Sequence, residues 1–114
     1  MMTARLEPIW NSRSRDDQRV AKQARVSVVL PVFNEVAVLD RLHSMVIDSL
    51  LPLESEIECL FVDDGSSDGS AEALDRLAAQ DHRVRVLHLA RNFGHQSAVN
   101  AGLTHATGDL VIVM

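Results

Sequence analysis

The sequence predicts an α/β fold: a parallel, Rossmann-like sheet with flanking helices, in the order strand-helix-strand-helix-strand-helix-strand (βαβαβαβ). Three observations carry this. Short β-branched apolar runs alternate with stretches of helical period. The connections between them are short. The strand runs are apolar without polar alternation, as strands buried on both faces are.

The first strand is Val26-Ser-Val-Val-Leu30, closed by Pro31, which has no N–H for a sheet ladder. Val36 to Leu50 then has helical spacing, with Val38/Leu39, Leu42, Met45/Val46 and Leu50 on one face. Asn34 is a candidate N-cap for it, and Pro52 marks its end. Ile57 to Val62 is the second strand. The turn residues Asp63-Asp-Gly-Ser-Ser-Asp-Gly-Ser70 follow it. Ala71 to Ala79 is the second helix, with Leu74, Leu77 and Ala78 inward. Val84, Val86, Leu87 and Leu89 make the third strand. Gln96 to Ala106 is the third helix, with Gly108 as its expected C′ residue, and Leu110-Val-Ile-Val-Met114 is the fourth strand.

The 114 residues allow one domain and one core. A single cysteine, Cys59, excludes an internally disulfide-stapled scaffold and reads as a small buried hydrophobe. No apolar run approaches the ~20 residues that cross a bilayer. The formal charge of −5 argues against broad nucleic-acid binding. That charge is uneven: residues 1–25 carry a net +3 and residues 26–114 a net −8. Residues 1–25 lack hydrophobic periodicity and are read as a mobile polar and basic arm, and residues 26–114 as the folded part. The arm is not a signal peptide, since no apolar h-region follows its arginines. It is either a solvated tail or a contact for anionic headgroups. The chain closes on its fourth strand, and the loop that would follow at the sheet's ligand edge is missing. It is therefore read as the front portion of a longer protein, truncated after that strand.

In open parallel sheets, ligands bind beyond the carboxyl ends of the strands. Three loops fall there: Pro31–Glu35, Asp63–Ser70 and Arg91–Gln96. The first has no glycine, so it is not a dinucleotide fingerprint, and no Gly-Lys-Ser/Thr P-loop occurs. Ser66, Ser67 and Ser70 lack a Gly-x-Ser-x-Gly elbow. The five histidines lack the spacing of zinc ligands. Asp63 and Asp64 follow directly on a buried strand. Two adjacent carboxylates there cannot both enter the core, so one is free for a ligand amide or amino group while the other holds the loop. A turn with an Asx cap is the plainer alternative. Arg91 is either a diphosphate contact or a surface arginine. His95 is a proton donor, a phosphate contact or an ordinary helix-start residue. Phe33 either stacks on a ring or packs in its turn. Glu35 either reaches a ribose hydroxyl or favours the positive end of the first helix.

Four blocks then add up to a family. They are Val26-Ser-Val-Val-Leu-Pro-Val-Phe-Asn-Glu35, Phe61-Val-Asp-Asp-Gly-Ser-Ser-Asp-Gly-Ser70, Arg91-Asn-Phe-Gly-His-Gln-Ser-Ala-Val-Asn-Ala-Gly102, and Gly108-Asp109 before an apolar strand. Together they resemble the family 2 glycosyltransferases of the GT-A fold. The third block is most similar to that of the polyprenyl-phosphate sugar transferases of the dolichol-phosphate and bactoprenol types. The resemblance implies a nucleotide-sugar-binding half in which Pro31, Phe33 and Glu35 line the nucleotide pocket. It also implies that Asp64 binds the base, Asp63 supports the loop and Arg91 flanks the diphosphate-sugar.

For the full-length protein the resemblance implies an inverting hexosyltransferase. It would work from a UDP- or GDP-sugar to a polyprenyl phosphate on the cytoplasmic side of the cell membrane, with Mg²⁺ or Mn²⁺. The Asp-x-Asp metal motif and the membrane-associated acceptor part are expected after Met114, so the resemblance leaves no metal ligand or catalytic residue within this chain. The 114 residues alone are expected to be inactive. Two rivals stand beside this reading: a family 2 transferase with a polysaccharide acceptor, and a non-catalytic nucleotide-binding module.

Overall fold

The computed structural model describes residues 24–53 and 56–114. Its sheet has four strands, β1 (Arg25–Val32), β2 (Glu56–Asp63), β3 (Val84–His88) and β4 (Leu110–Val113), in the spatial order β3-β2-β1-β4. All neighbouring pairs are parallel. Between the strands run α1 (Leu39–Leu50), α2 (Ser70–Gln80) and α3 (His95–His105). This is the predicted α/β architecture and element order. Residues 1–23, the body of the expected arm, lie outside the described residues.

The strand order follows from handedness. A right-handed crossover that steps β1 to β2 to β3 in one direction places α1 and α2 on one face. The chain then returns past β1 to β4, so the same rule puts α3 on the other face. Side-chain alternation divides the core accordingly. Val26, Val28, Leu30 and Val32 of β1 and Ile57, Cys59 and Phe61 of β2 pack with Leu39, Val46 and Ile47 of α1 and Leu74 and Leu77 of α2. The opposite set is smaller: Val29 and Val62 meet Ala98 of α3, with Leu87, Leu89, Ala101 and Val111 at its margin. Cys59 is fully buried, and burial pushes its thiol up to about 11.

The α3 face carries a buried charge. Glu58 of β2 is 1% exposed. Its Oε1 accepts from the Ser27 hydroxyl at 2.7 Å and from the Thr107 N–H at 3.1 Å. Its Oε2 accepts from Arg85 of β3, from the Thr107 hydroxyl at 3.2 Å and from Arg25 at 3.4 Å. One carboxylate thus joins β1, β2, β3 and the α3–β4 turn. Burial alone would raise its pKa. The bonds from Arg85, Ser27 and Thr107 outweigh burial and hold it at about 2.

Four local expectations are corrected. Arg25 belongs to β1 and not to the arm: its N–H donates to Asp109 Oδ2, its carbonyl accepts from Asp109 N–H, and its guanidinium meets Glu56. Asn34 is not an N-cap. It has φ +52°, and a 3₁₀ turn (Val36–Val38) intervenes before α1. Met45 is exposed and Ile47 takes an inward place on α1, because at ~3.6 residues per turn Met45 lies about 120° around the helix from buried Leu39 and Ile47 about 80°. Gly108 is not a left-handed cap, since α3 ends on an extended Ala106. Glycine is needed there because a Cβ would overlap Ser27 and the Arg25 carbonyl.

Glu58→Gln should lower the stability of the full-length protein by about 3 kcal/mol, the lower end for breaking a buried pair, because half-exposed Arg85 can turn to water. Glu58 is ionised more readily in the fold than when unfolded, so its contribution is complete above the ordinary glutamate value of 4.5 and fades as pH falls toward about 2. Denaturant melts between pH 7 and pH 3 check both statements. A wild-type stability that falls no further than that of Glu58→Gln over this interval would contradict them.

Candidate functional site

The carboxyl edge of the sheet is built around the end of β2. Asp63 and Asp64 are both 3% exposed, and strand alternation sends their side chains to opposite faces. Asp63 turns toward α2. Its Oδ1 accepts the Ser66 N–H at 3.0 Å, and its Oδ2 lies 2.9 Å from His88 Nδ1. His88 Nε2 reaches Asp75 of α2 at 2.7 Å. The imidazole bridges two carboxylates, and Asp75 foremost, then Asp63, raises its pKa above 6.5. Burial works against ionisation of Asp63, but the bonds from Ser66 and His88 prevail and lower its pKa.

Asp64 turns toward α3 and binds the third loop. Its Oδ1 accepts the Phe93 N–H at 2.8 Å. Its Oδ2 accepts the Gly94 N–H at 3.1 Å and the Asn92 side-chain amide at 3.2 Å. The loop can come this close because the second loop has glycine at Gly65, with φ +74°. A Cβ there would overlap the Arg91–Asn92 peptide.

The first loop is tied to the second. The Asn34 N–H donates to Ser66 Oγ at 3.0 Å, the Glu35 N–H to Ser70 Oγ at 3.1 Å and the Val36 N–H to Asp68 Oδ2 at 3.2 Å. In return the Ser67 N–H donates to Asn34 Oδ1 at 2.8 Å. Asp68 is also the expected Asx turn, since its Oδ1 accepts the Ser70 N–H at 3.0 Å and the Ser70 hydroxyl at 2.6 Å.

Between the first and third loops lies an open cleft of about 330 Å³. Its walls include Pro31, Phe33, Glu35 and Asp64 from the expected set, joined by Asn92 and His95. It opens at the carboxyl end of β1, where the strand order reverses and open α/β sheets bind ligands. Asp63 and Arg91 are not among the residues lining it. Asp63 is committed to the second loop and His88. Arg91 is exposed, with its guanidinium 4.6 Å over the Phe93 ring. Asn92 was missed in the sequence because its part is played by a side-chain amide 28 positions from its partner. Two lone pairs on each Asp64 oxygen leave Oδ1, which accepts one bond, able to accept another.

Among the described residues, no three His, Cys, Asp or Glu side chains come together to hold a metal ion, and no helix is long and apolar enough to cross a membrane. The cleft's carboxylates are Glu35 and Asp64, the latter already accepting three N–H groups. These residues do not by themselves fit a divalent cation.

The model of the family described as "Glycosyl transferase family 2" matches residues 27–114. The chain is 47% identical over 91 residues to the undecaprenyl-phosphate 4-deoxy-4-formamido-L-arabinose transferase of Proteus mirabilis (strain HI4320), a match that covers 79% of this chain and 28% of the relative. The mannosyltransferase PcManGT from Pyrobaculum calidifontis, solved with GDP-Man and Mn²⁺, superposes with a TM-score of 0.64. It is 28% identical over 78% of this chain and 26% of its own. Residues 1–349 of TarS from S. aureus share the fold at a TM-score of 0.64 and 23% identity, over 79% of this chain and 26% of that one. The chain therefore spans just over a quarter of the length of these relatives.

His88 should titrate above 6.5 by NMR, and Asp75→Asn should bring it down. The sign is that of a raised histidine: its stabilisation is complete below 6.5 and is lost as pH rises through the folded value. An unchanged His88 titration in Asp75→Asn would remove the bridge. Gly65→Ala should push the third loop off Asp64, seen as faster amide exchange at Phe93 and Gly94, with the β1 and β2 amides unaffected.

Proposed function

The chain belongs to glycosyl transferase family 2, and from that premise we propose that it forms the donor-nucleotide-binding part of an inverting transferase that moves a sugar from a UDP- or GDP-sugar to a polyprenyl phosphate. The observation that carries the proposal is the cleft at the carboxyl end of β1, with Pro31, Phe33, Glu35 and Asp64 in its wall. In this reading Phe33, 46% exposed at the rim, offers a face for a base or ribose. Glu35 takes a ribose hydroxyl. Asp64 Oδ1 accepts an N–H of the base with its remaining lone pair. Arg91 stands uncommitted to any carboxylate among the described residues and is available to the diphosphate as a planar fork of donors. Asp63 acts through the loop it holds.

The named substrates of the relatives support the two ends of the reaction. The Proteus protein's name gives undecaprenyl phosphate as acceptor. GDP-Man in the Pyrobaculum complex is a nucleotide-sugar donor. The Proteus protein's sugar is a substituted arabinose, a pentose, so the proposal widens the expected hexose to a sugar. In the reaction a phosphate oxygen of the acceptor attacks the anomeric carbon as the bond to the nucleoside diphosphate breaks, which inverts that carbon. The acceptor phosphate is already anionic at neutral pH, so the attack needs no strong general base, whereas a hydroxyl acceptor would. In this reading the whole protein works at the cytoplasmic face of a membrane, where it would meet both donor and acceptor. The Mn²⁺ of the Pyrobaculum complex supports a divalent cation for the whole protein, but no step of the described residues is routed through it.

The test is transfer of labelled sugar from UDP- and GDP-sugars to undecaprenyl phosphate by the full-length protein, with calorimetry of UDP and GDP binding alongside. Asp64→Asn should weaken nucleotide binding by roughly 1.5–3 kcal/mol, the range for a hydrogen bond to a charged group. UDP and GDP affinities unchanged in Asp64→Asn would reject Asp64. Arg91→Ala should lower donor affinity or turnover with little change in melting temperature, since the exposed guanidinium rests on the Phe93 ring and pairs with no carboxylate among the described residues. A large loss of stability with normal kinetics would make Arg91 a structural residue.

A further inference from the structure

We propose that Asn34, Ser66 and Ser70, with Asp68, are positioning residues for the nucleotide donor: they form a clasp between the first and second loops that presets Phe33 and Glu35 in the cleft wall. The proposal rests on the donor reading above and adds how the site is held in shape before the donor arrives.

The first loop has few other means of holding its shape. It leaves β1 at Val32 and enters the 3₁₀ turn at Val36. In between, its amides have passed the end of the sheet ladder and have not yet reached a helix. Phe33, Asn34 and Glu35 are exposed, so packing does not fix them. Three consecutive amides, those of Asn34, Glu35 and Val36, instead donate to three side chains of the second loop: Ser66, Ser70 and Asp68. The bond from Ser67 N–H to Asn34 Oδ1 closes the clasp in the reverse direction.

Asn34 sits at φ +52°, a left-handed conformation that a residue with a Cβ adopts at a cost. Its backbone N–H and its side-chain oxygen both engage the second loop, which offsets that cost. If Asn34 relaxed to negative φ, the chain direction would change between Phe33 and Glu35, and the two would no longer share one wall.

The receiving side is well anchored. Ser66 is fixed by its N–H to buried Asp63. Ser70 is fully buried, and both its N–H and its hydroxyl are held by Asp68 Oδ1. None of Ser66, Asp68 and Ser70 lines the cleft, whereas Phe33 and Glu35 do. These side chains therefore act on the donor through the first loop and not by contact.

This gives a kinetic signature. A loop that visits other shapes lowers apparent affinity by the fraction of time it is competent, and saturating donor restores that fraction. Losing the clasp should raise KM for the nucleotide-sugar and leave kcat nearly alone.

The experiment uses the full-length protein with four variants. Ser70→Ala removes the acceptor for the Glu35 N–H, and Ser66→Ala removes the one for Asn34. Ser66→Thr keeps that hydroxyl. Asn34→Gly allows positive φ freely but removes the acceptor for Ser67. The readouts are amide exchange at residues 34–36, calorimetric affinity for UDP and GDP, and KM and kcat for the donor. Ser70→Ala, Ser66→Ala and Asn34→Gly should each raise KM and weaken nucleotide binding roughly three- to tenfold, about the weight of one hydrogen bond. Their kcat should stay within about twofold of wild type. Ser66→Thr should behave as wild type. Faster exchange at Asn34 in Ser66→Ala with unchanged donor KM would overturn the proposal, as would a loss of kcat at constant KM. Wild-type protein that binds neither UDP nor GDP would overturn the donor reading and the proposal with it. Wild-type binding matched by all four variants would overturn the clasp alone.

Discussion

Every polar group that β2 carries into the interior has to be answered by another segment, because an unpaired buried charge costs several kcal/mol. β2 is the most deeply buried strand, with β1 on one side and β3 on the other. It carries three buried carboxylates: Glu58 near its start, Asp63 as its last residue and Asp64 just beyond. Their partners come from Ser27, Arg85, Thr107, Ser66, His88 and the 92–94 turn. The turns at both ends of the sheet are placed by those demands.

The two faces of the sheet divide this work. The α1 and α2 face is filled by large apolar side chains and needs no polar help. The α3 face has the smaller apolar cluster, centred on Val29, Val62 and Ala98, and farther along β2 Glu58 takes a place that an apolar side chain would occupy on the other face. The charge is tolerated there because five donors from four residues converge on it. At the opposite end the same face carries Asp64, which holds the third loop against the start of α3. A lightly packed face thus leaves room for a cleft while its polar groups stay paired.

That arrangement suits a binding site. Pre-organised groups bind a ligand better than groups that must first be ordered. The cleft borrows part of its order from residues that do not line it, since Asp63 fixes the second loop and the second loop fixes the first, while Asp64 in its wall fixes the third. Asp64 faces both ways, since it binds the third loop and also lines the cleft. A ligand at its free lone pair would meet a carboxylate that cannot swing away.

The sequence by itself determined the element order, the parallel sheet, the three loops at its carboxyl edge and the placing of Asp63 and Asp64 at the end of a buried strand. It did so because burial and periodicity are written locally: an apolar β-branched run reads as a doubly covered strand whatever covers it. The blocks around Pro31, Asp63 and Arg91 likewise carried the family in their own residues and spacing. Only the tertiary structure decided who answers whom. Glu58 meets Thr107 across 49 positions, and Arg25 meets Asp109 across 84, so Arg25 starts β1 instead of ending an arm. Asn34 reads as a helix cap in its local context, yet the second loop takes its side chain and sets its φ. Arg91 reads from its place after β3 as either a diphosphate contact or a surface arginine, and the tertiary structure lays its guanidinium over Phe93, whose own N–H is held by Asp64. Gly108 reads as a helix stop and instead makes room for Ser27. In each case the deciding partner is fixed by strand register and strand order, which no local window of sequence contains.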